Sequence, residues 1–591
     1  MSRLAATIVW VLLHAVNAAL VHREWNGSLY SCKCYLGDAC WPGTVEWNRL
    51  NATVGGNLRL HVPPESVCHD TFDGPLGSLA TYNETACQQV SANYANEEWT
   101  VEQDATLLWK YFTNHTCPPT IDPGSPCTLG YYGVIILDAH TKHHVKAGID
   151  FARRHDLRLV VRNTGHDFIG RSTGWGSLII RTQAMQGVKW IKSYKGPGRY
   201  RGRAVTLSAG IQGRDILTQA HAQQPPQALM TGECPTVGIV GGLIQGGGHG
   251  PWTTLKGMVA DSVLSFEVIT ADGVIRTANE RENPDLYWAL KGGGPLTFGV
   301  VLSATVKTWD DLPAAGATLF INSTTVANED VFWEGVRIFH KYANHLVDNG
   351  LYVYFEIFPQ TLRVLPVVAI DKTKSELDAI TAPILSELRE SDVPFEYASN
   401  EYHNFYSLYT DLFEDEVLGG VSLTGGWMFS RKDVRENNDA IVDAFKVAIS
   451  PREDLLYSGG MIGHLWNAGY NVPVPNSATH PRFRDASDFI ISTLPVPANA
   501  SLEVKADLQD VLTNTIDAAL RKAGPHGCTY VNEADPYQPD WQTHFWGDFY
   551  PRLKEIKHKW DPHGLFWTIS TPGSEDWVLI ETETRLCKSQ Q

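Results

Sequence analysis

Leu157-Arg-Leu-Val-Val-Arg162-Asn163-Thr164-Gly165-His166-Asp167-Phe-Ile-Gly-Arg-Ser-Thr173 passes from a largely apolar run, Leu157 to Val161, into a polar tip. The run reads as a buried strand. In the tip, a glycine lets the backbone approach a ligand closely, and N–H groups at the end of a strand can cradle a phosphate. Arg162, Asn163, Thr164, Gly165, His166 and Asp167 are therefore candidate ligand contacts. Alone, the pattern suits a strand ending in a surface histidine better, so its meaning depends on what surrounds it.

Upstream, Val145, Ile149 and Ala152 keep helical spacing within His143 to Arg154. Downstream come short strands at Ser177 to Arg181 and Ala204 to Ser208, then a helix over Asp215 to Gln223. Val263 to Thr270 and Val274 to Thr277 flank Ala271-Asp272-Gly273, a hairpin whose Asp-Gly suits positive backbone angles. Phe298 to Trp309 is another β-branched run. Beyond Asp311 the units lengthen. Val331 to Leu346, Thr373 to Leu388 and Leu502 to Ala523 read as helices, with a strand pair in Leu351 to Ile370. Trp541 to Trp560 reads as one further helix, stopped by Asp561-Pro562.

A second glycine-bearing element changes the reading of the first. Thr231-Gly-Glu-Cys234-Pro-Thr-Val237-Gly238-Ile-Val-Gly241-Gly242-Leu-Ile-Gln-Gly246-Gly247-Gly248-His249-Gly250 holds seven glycines from Gly238 onward. They would weaken an ordinary strand or helix, so close approach to a flat or phosphorylated ligand is the better explanation. Leu290-Lys-Gly-Gly-Gly-Pro-Leu-Thr-Phe298 repeats the theme. Neither segment has Walker spacing or a GxGxxG opening a helix after a strand, which disfavours a nicotinamide-type Rossmann site.

The 591 residues exceed one hydrophobic core. Against 48 basic stand 65 acidic residues, a net charge of -17 with no basic patch, which argues against a nucleic-acid partner. Met1 to Ala19 has one cation, an apolar run and small residues at its end, as in a secretory signal. No later segment is long and apolar enough to cross a bilayer, so no membrane association is expected after signal removal. Sequons at Asn26, Asn51, Asn83, Asn114, Asn322 and Asn499 agree with secretion or a secretory-pathway lumen. Seven of the ten cysteines lie between Cys32 and Cys127, and Cys528 and Cys587 lie near the end. Disulfides stapling an irregular N-terminal extension, with one bridge to the tail, explain them better than a metal site, and no metal is expected. Cys234 stands apart.

Four ordered segments together resemble a known family: that around His166, Gly232-Glu-Cys234-Pro-Thr-Val-Gly, Asn283-Pro-Asp-Leu-Tyr-Trp-Ala-Leu-Lys-Gly-Gly-Gly, and Tyr530-Val-Asn532 with Lys557-His-Lys-Trp-Asp561-Pro-His-Gly-Leu-Phe566. The chain is similar to berberine bridge enzyme-like FAD-linked oxidoreductases of the vanillyl-alcohol oxidase/p-cresol methylhydroxylase superfamily, closest to their secreted fungal isoamyl alcohol oxidase-like members. The resemblance implies an α+β chain: a bipartite FAD-binding domain of the p-cresol methylhydroxylase type with an inserted substrate domain, an antiparallel sheet covered by helices. The corresponding boundaries are a signal at 1–19, a cysteine-rich extension at 20–127, FAD-binding parts at 128–310 and 527–587, and the substrate domain at 311–526.

It also implies covalent FAD, with His166 at the position joined to the flavin 8α-methyl group and Cys234 at that joined to ring carbon 6. Gly238, Gly241, Gly242, Gly248 and Ile275 fall among its cofactor-binding positions. Val237 matches a position where oxygen-using relatives carry valine, which favours an oxidase. His249 either edges the ring or makes a structural hydrogen bond. For the base that takes a hydroxyl proton, the candidates are Tyr530 as tyrosinate, Asn532 beside it, and His464 on the roofing sheet. The expected partners are a small-molecule alcohol or secondary-metabolite intermediate and O2, with a sugar oxidase or a non-catalytic binding protein as alternatives. A monomer or weak oligomer is expected.

Overall fold

A computed structural model describes residues 21–590 except 105, 325–327, 416–419, 470–471 and 498–499. The signal reading of 1–19 and the Asn499 sequon lie outside the described residues. Three sheets frame the site. The opening stretch forms the strand Leu159–Arg162, which pairs in parallel with Leu178–Arg181; that strand pairs with Ile135–Asp138, and Leu58–Leu60 completes the sheet. The helix Lys142–His155 covers it with Val145, Ile149 and Ala152, capped by Thr141 at one end and left-handed Asp156 at the other. An antiparallel sheet follows in the order Ile275–Ala278, Val263–Ile269, Val300–Lys307, Ala204–Ser208, Val188–Ile191.

The third sheet has seven antiparallel strands: Glu396–Tyr402, Ala314–Asn322, Thr361–Ile370, Tyr352–Phe358, Gly460–Leu465, Ala486–Pro495 and Ser422–Ser430. Alternate side chains of a strand face opposite sides. Val353, Phe355, Ile357, Met461, Leu465, Ile490 and Leu494 enter the core under the helices Glu329–Lys341, Lys374–Glu390 and Asn438–Ile449. Their neighbours Tyr354, Glu356, Ile462, His464, Ile491 and Thr493 face a cavity instead. Each fully buried large apolar side chain stabilises this packing by about 1.5–3 kcal/mol.

The N-terminal stretch is more regular than its composition suggests. The strands Val21–Trp25 and Ser28–Cys32 form a sheet with Arg585–Ser589 and Val578–Ile580, closed by the Cys32–Cys587 disulfide. Cys34–Cys40, Cys68–Cys87 and Cys117–Cys127 staple the rest locally. Three expected long helices are interrupted: a turn at Tyr342 separates Glu329–Lys341 from Ala343–Asp348. A wider π turn at Leu512–Ile516 divides another, and Gly547, at φ +56°, ends Trp541–Trp546 before Tyr550–Trp560 begins.

Candidate active site

A cavity of about 560 Å³, within the range of cofactor and ligand sites, lies between the seven-stranded sheet and the loops of the first region. Asn163, Thr164, Gly165, His166 and Asp167 line it, as do Cys234, Val237, Gly238, Gly241, Gly242 and His249. His464, Tyr530 and Asn532 line it too. The two glycine-bearing segments are thus brought together.

They are stitched by hydrogen bonds. Gly238 N–H donates to Thr164 Oγ1 (3.2 Å), and Asn163 Nδ2 donates to Thr182 Oγ1 (2.9 Å) and Ala209 O (2.7 Å). Asp167 Oδ1 accepts from the backbone N–H groups of Ile169 (3.1 Å) and Arg171 (2.7 Å), closing the tip into a turn. The glycine surplus proves to serve mainly the protein's own packing: a Cβ on Gly238 or Gly241 would strike the Asn163 side chain, at 1.8 and 2.8 Å. Gly242 differs, for a Cβ there meets nothing within 4 Å.

His166 is held in one tautomer. Thr236 Oγ1 donates to Glu97 Oε2 (3.0 Å), so it accepts from His166 Nε2 (2.6 Å), and Nδ1 keeps its lone pair. Burial, helped by the Arg162 charge, pushes the His166 pKa down to about 3, and the ring stays neutral. A neutral imidazole is a nucleophile. Cys234 belongs to no disulfide and reaches the same cavity, whereas Cys528 is buried against Met428 and its thiol pKa is pushed up by desolvation.

Three expected contacts lie elsewhere. The buried Arg162 guanidinium is spent on the carbonyls of Val101 (2.8 Å), Thr106 (2.8 Å) and Thr100 (3.3 Å), tying the N-terminal stretch to the strand tip. Gly248 is off the cavity, with Val259 occupying the space a Cβ would need (2.8 Å). Ile275 sits on an edge strand, half-buried against the apolar core beside that sheet.

Tyr530 makes a poor base. Desolvation, then the Glu533 charge, holds its phenol well above the ordinary value, and Asn532 Nδ2 donates to its oxygen (2.9 Å). Asn532 Nδ2 also donates to Gly242 O (3.0 Å). His464 faces a carboxylate that the sequence reading missed, Glu233, with Nε2 to Oε2 at 3.1 Å. His249 makes the same bond to Glu533 (3.1 Å) while lining the cavity, and the two rings lie 4.8 Å apart.

Several cavity-lining polar atoms have no hydrogen-bond partner: Asn163 Oδ1, Gln245 Oε1, Asn532 Oδ1, and Nε and Nη1 of Arg171. Polar atoms without partners and the Arg171 guanidinium, 3.8 Å from Asp167, beside a largely apolar cavity fit a group with a polar-edged ring and a pyrophosphate. Those features define a flavin-type oxidoreductase fold.

Residues 135–279 match the FAD binding domain family and residues 529–569 the family described as berberine and berberine like. The chain is 35% identical to FAD-linked oxidoreductase ZEB1 of Gibberella zeae, over 94% of this chain and 95% of the relative. It is 33% identical to the bifunctional decalin synthase calF of Penicillium decumbens, over 94% and 96%. The crystal structure of the VAO-type flavoprotein MtVAO615 from Myceliophthora thermophila C1 superposes with a TM-score of 0.86 at 31% identity, covering 94% and 100%. The chain belongs to the berberine bridge enzyme-like, VAO-type FAD-linked oxidoreductases, and FAD is its cofactor.

Proposed function

We propose that the protein is a secreted oxidase that converts a small-molecule alcohol or natural-product intermediate to its carbonyl with O2, releasing H2O2. The observation that carries this reading is that His166, Cys234 and His464 line one cavity. When bound, FAD supplies the two-electron acceptor that no side chain here offers.

His166, through Nδ1, and Cys234, through its thiolate, tether the flavin. Gly242 leaves room for its ring, and the Arg171 guanidinium gives a cation for its negative oxygens. Leu243, Leu365, Phe413, Ile462 and Ile491 give apolar lining suited to an apolar alcohol, beside the polar Glu356, Arg363 and Thr493. Tyr530 and Asn532 shape the wall, and His464 takes the hydroxyl proton. Four disulfides suit an oxidising compartment, and no helix among the described residues is long and apolar enough to cross a membrane.

The test is peroxide release in air from parallel panels of apolar alcohols and oligosaccharides. Release from alcohols alone supports the reading; release from sugars alone, or from nothing, overturns it.

A further inference from the structure

The bond between His464 and Glu233 fixes more than a contact. A carboxylate only accepts, so His464 Nε2 carries the proton given to Glu233 Oε2, and Nδ1 keeps its lone pair. That Nδ1 has no hydrogen-bond partner, although His464 is only 3% exposed. Glu233 in turn directly precedes Cys234, and both line the cavity.

We propose that Glu233 is a positioning residue for His464: it holds the imidazole in the tautomer whose Nδ1 receives the substrate's hydroxyl proton and stabilises the imidazolium that forms. The inference rests on the oxidase reading above. A carboxylate behind an imidazole is a known device for nucleophile activation, and here it would serve alcohol oxidation. In the step, the O–H bond breaks and an N–H bond forms at Nδ1. Two electrons with a hydrogen leave the carbinol carbon for the oxidant that the FAD-linked activity supplies, and the held proton leaves with the peroxide.

The charges around His464 favour this role. From the glycine-bearing segment it meets Glu233 and His249; from the segment after Tyr530, Glu533. From the adjoining strands it meets Asp488, itself engaged by His340 Nε2 (2.8 Å), and Tyr354 (rings 5.4 Å apart), whose hydroxyl donates to Glu356 (2.9 Å). Burial works against the imidazolium, but the carboxylates, Glu233 first, outweigh it and hold the His464 pKa above its ordinary value.

The experiment is a pH titration of histidine ring signals by NMR in the holoenzyme labelled at histidine carbon, with EDTA present and His464 assigned through H464Q. Wild type should titrate above 6.5. Glu233→Gln should lower the midpoint by about one unit, Glu233→Asp should restore it, and the acid limb of kcat/KM should follow. An unmoved midpoint in folded Glu233→Gln protein overturns the positioning role whatever the substrate. Failure of every alcohol to release peroxide defeats the oxidase reading instead, and is told apart because the midpoint shift would persist.

Discussion

His166 and His464 line one cavity, yet their pKa values are displaced in opposite directions. Desolvation is the largest influence on each and opposes the charged form in both. The neighbours decide the outcome. His166 bonds the Thr236 hydroxyl, with the Glu97 carboxylate at 4.0 Å from Nε2 and the Arg162 charge opposing its protonation; His464 bonds Glu233 directly, with Glu533 and Asp488 beyond. His166 is therefore a neutral nucleophile suited to bonding a cofactor, and His464 an imidazole able to hold a proton.

The largest effect should come from removing His464. His464→Ala should lower kcat by about 100- to 10,000-fold, the usual range for a lost general base, while FAD stays attached; stopped-flow turnover with absorbance of the bound flavin checks both halves.

Weakening the hold on His166 should act on attachment rather than turnover. Thr236→Val removes the acceptor for His166 Nε2 and frees the ring to choose its tautomer. Attachment at residue 166 should slow by about tenfold, the equivalent of one lost hydrogen bond, as read by peptide mass spectrometry over time.

The pH dependence sharpens the contrast. Because the His464 pKa is raised, its neutral form and kcat/KM should grow as pH rises through a midpoint above 6.5. Over that interval the stability given by its imidazolium pairing, fully present below 6.5, is lost. His166, with its pKa near 3, should add nothing there; its stabilising effect is lost only as pH falls from 6.5 toward 3. A wild-type activity limb well below 6.5 would contradict the assignment.

The smallest effect should follow Cys528→Ala: flavin attachment unchanged, and a loss of about 1–2 kcal/mol in urea unfolding from the small cavity left. Both cysteines lie outside disulfides, but only Cys234 reaches the cavity.

How far the sequence shows this depends on the range over which each feature acts. The strand tip at Arg162 to Asp167 and the block around Cys234 are local, so their residues, glycines and order reveal them. The motive for the glycines is not local: Asn163 takes the space at Gly238 and Gly241 from 75 and 78 residues away, and no spacing rule displays that. Arg162 looked like a ligand contact because it stands in the strand-tip loop, but three carbonyls from the N-terminal stretch claim its guanidinium.

The strands Ser422–Ser430, Gly460–Leu465 and Ala486–Pro495 escaped a reading by alternation. They are buried on both faces, and glycines such as Gly463, where a Cβ would run into the Phe355 ring, interrupt the β-branched pattern. Glu233 was visible but mute, since the histidine it serves lies 231 residues further along the chain.

Acid precipitation of the purified protein and of the His166→Ala/Cys234→Ala double variant tests most directly whether these two loops hold the cofactor. Yellow colour confined to the wild-type pellet, and released to the supernatant by the double variant, is the predicted result. A colourless wild-type pellet, or a double variant whose pellet stays yellow, would contradict it.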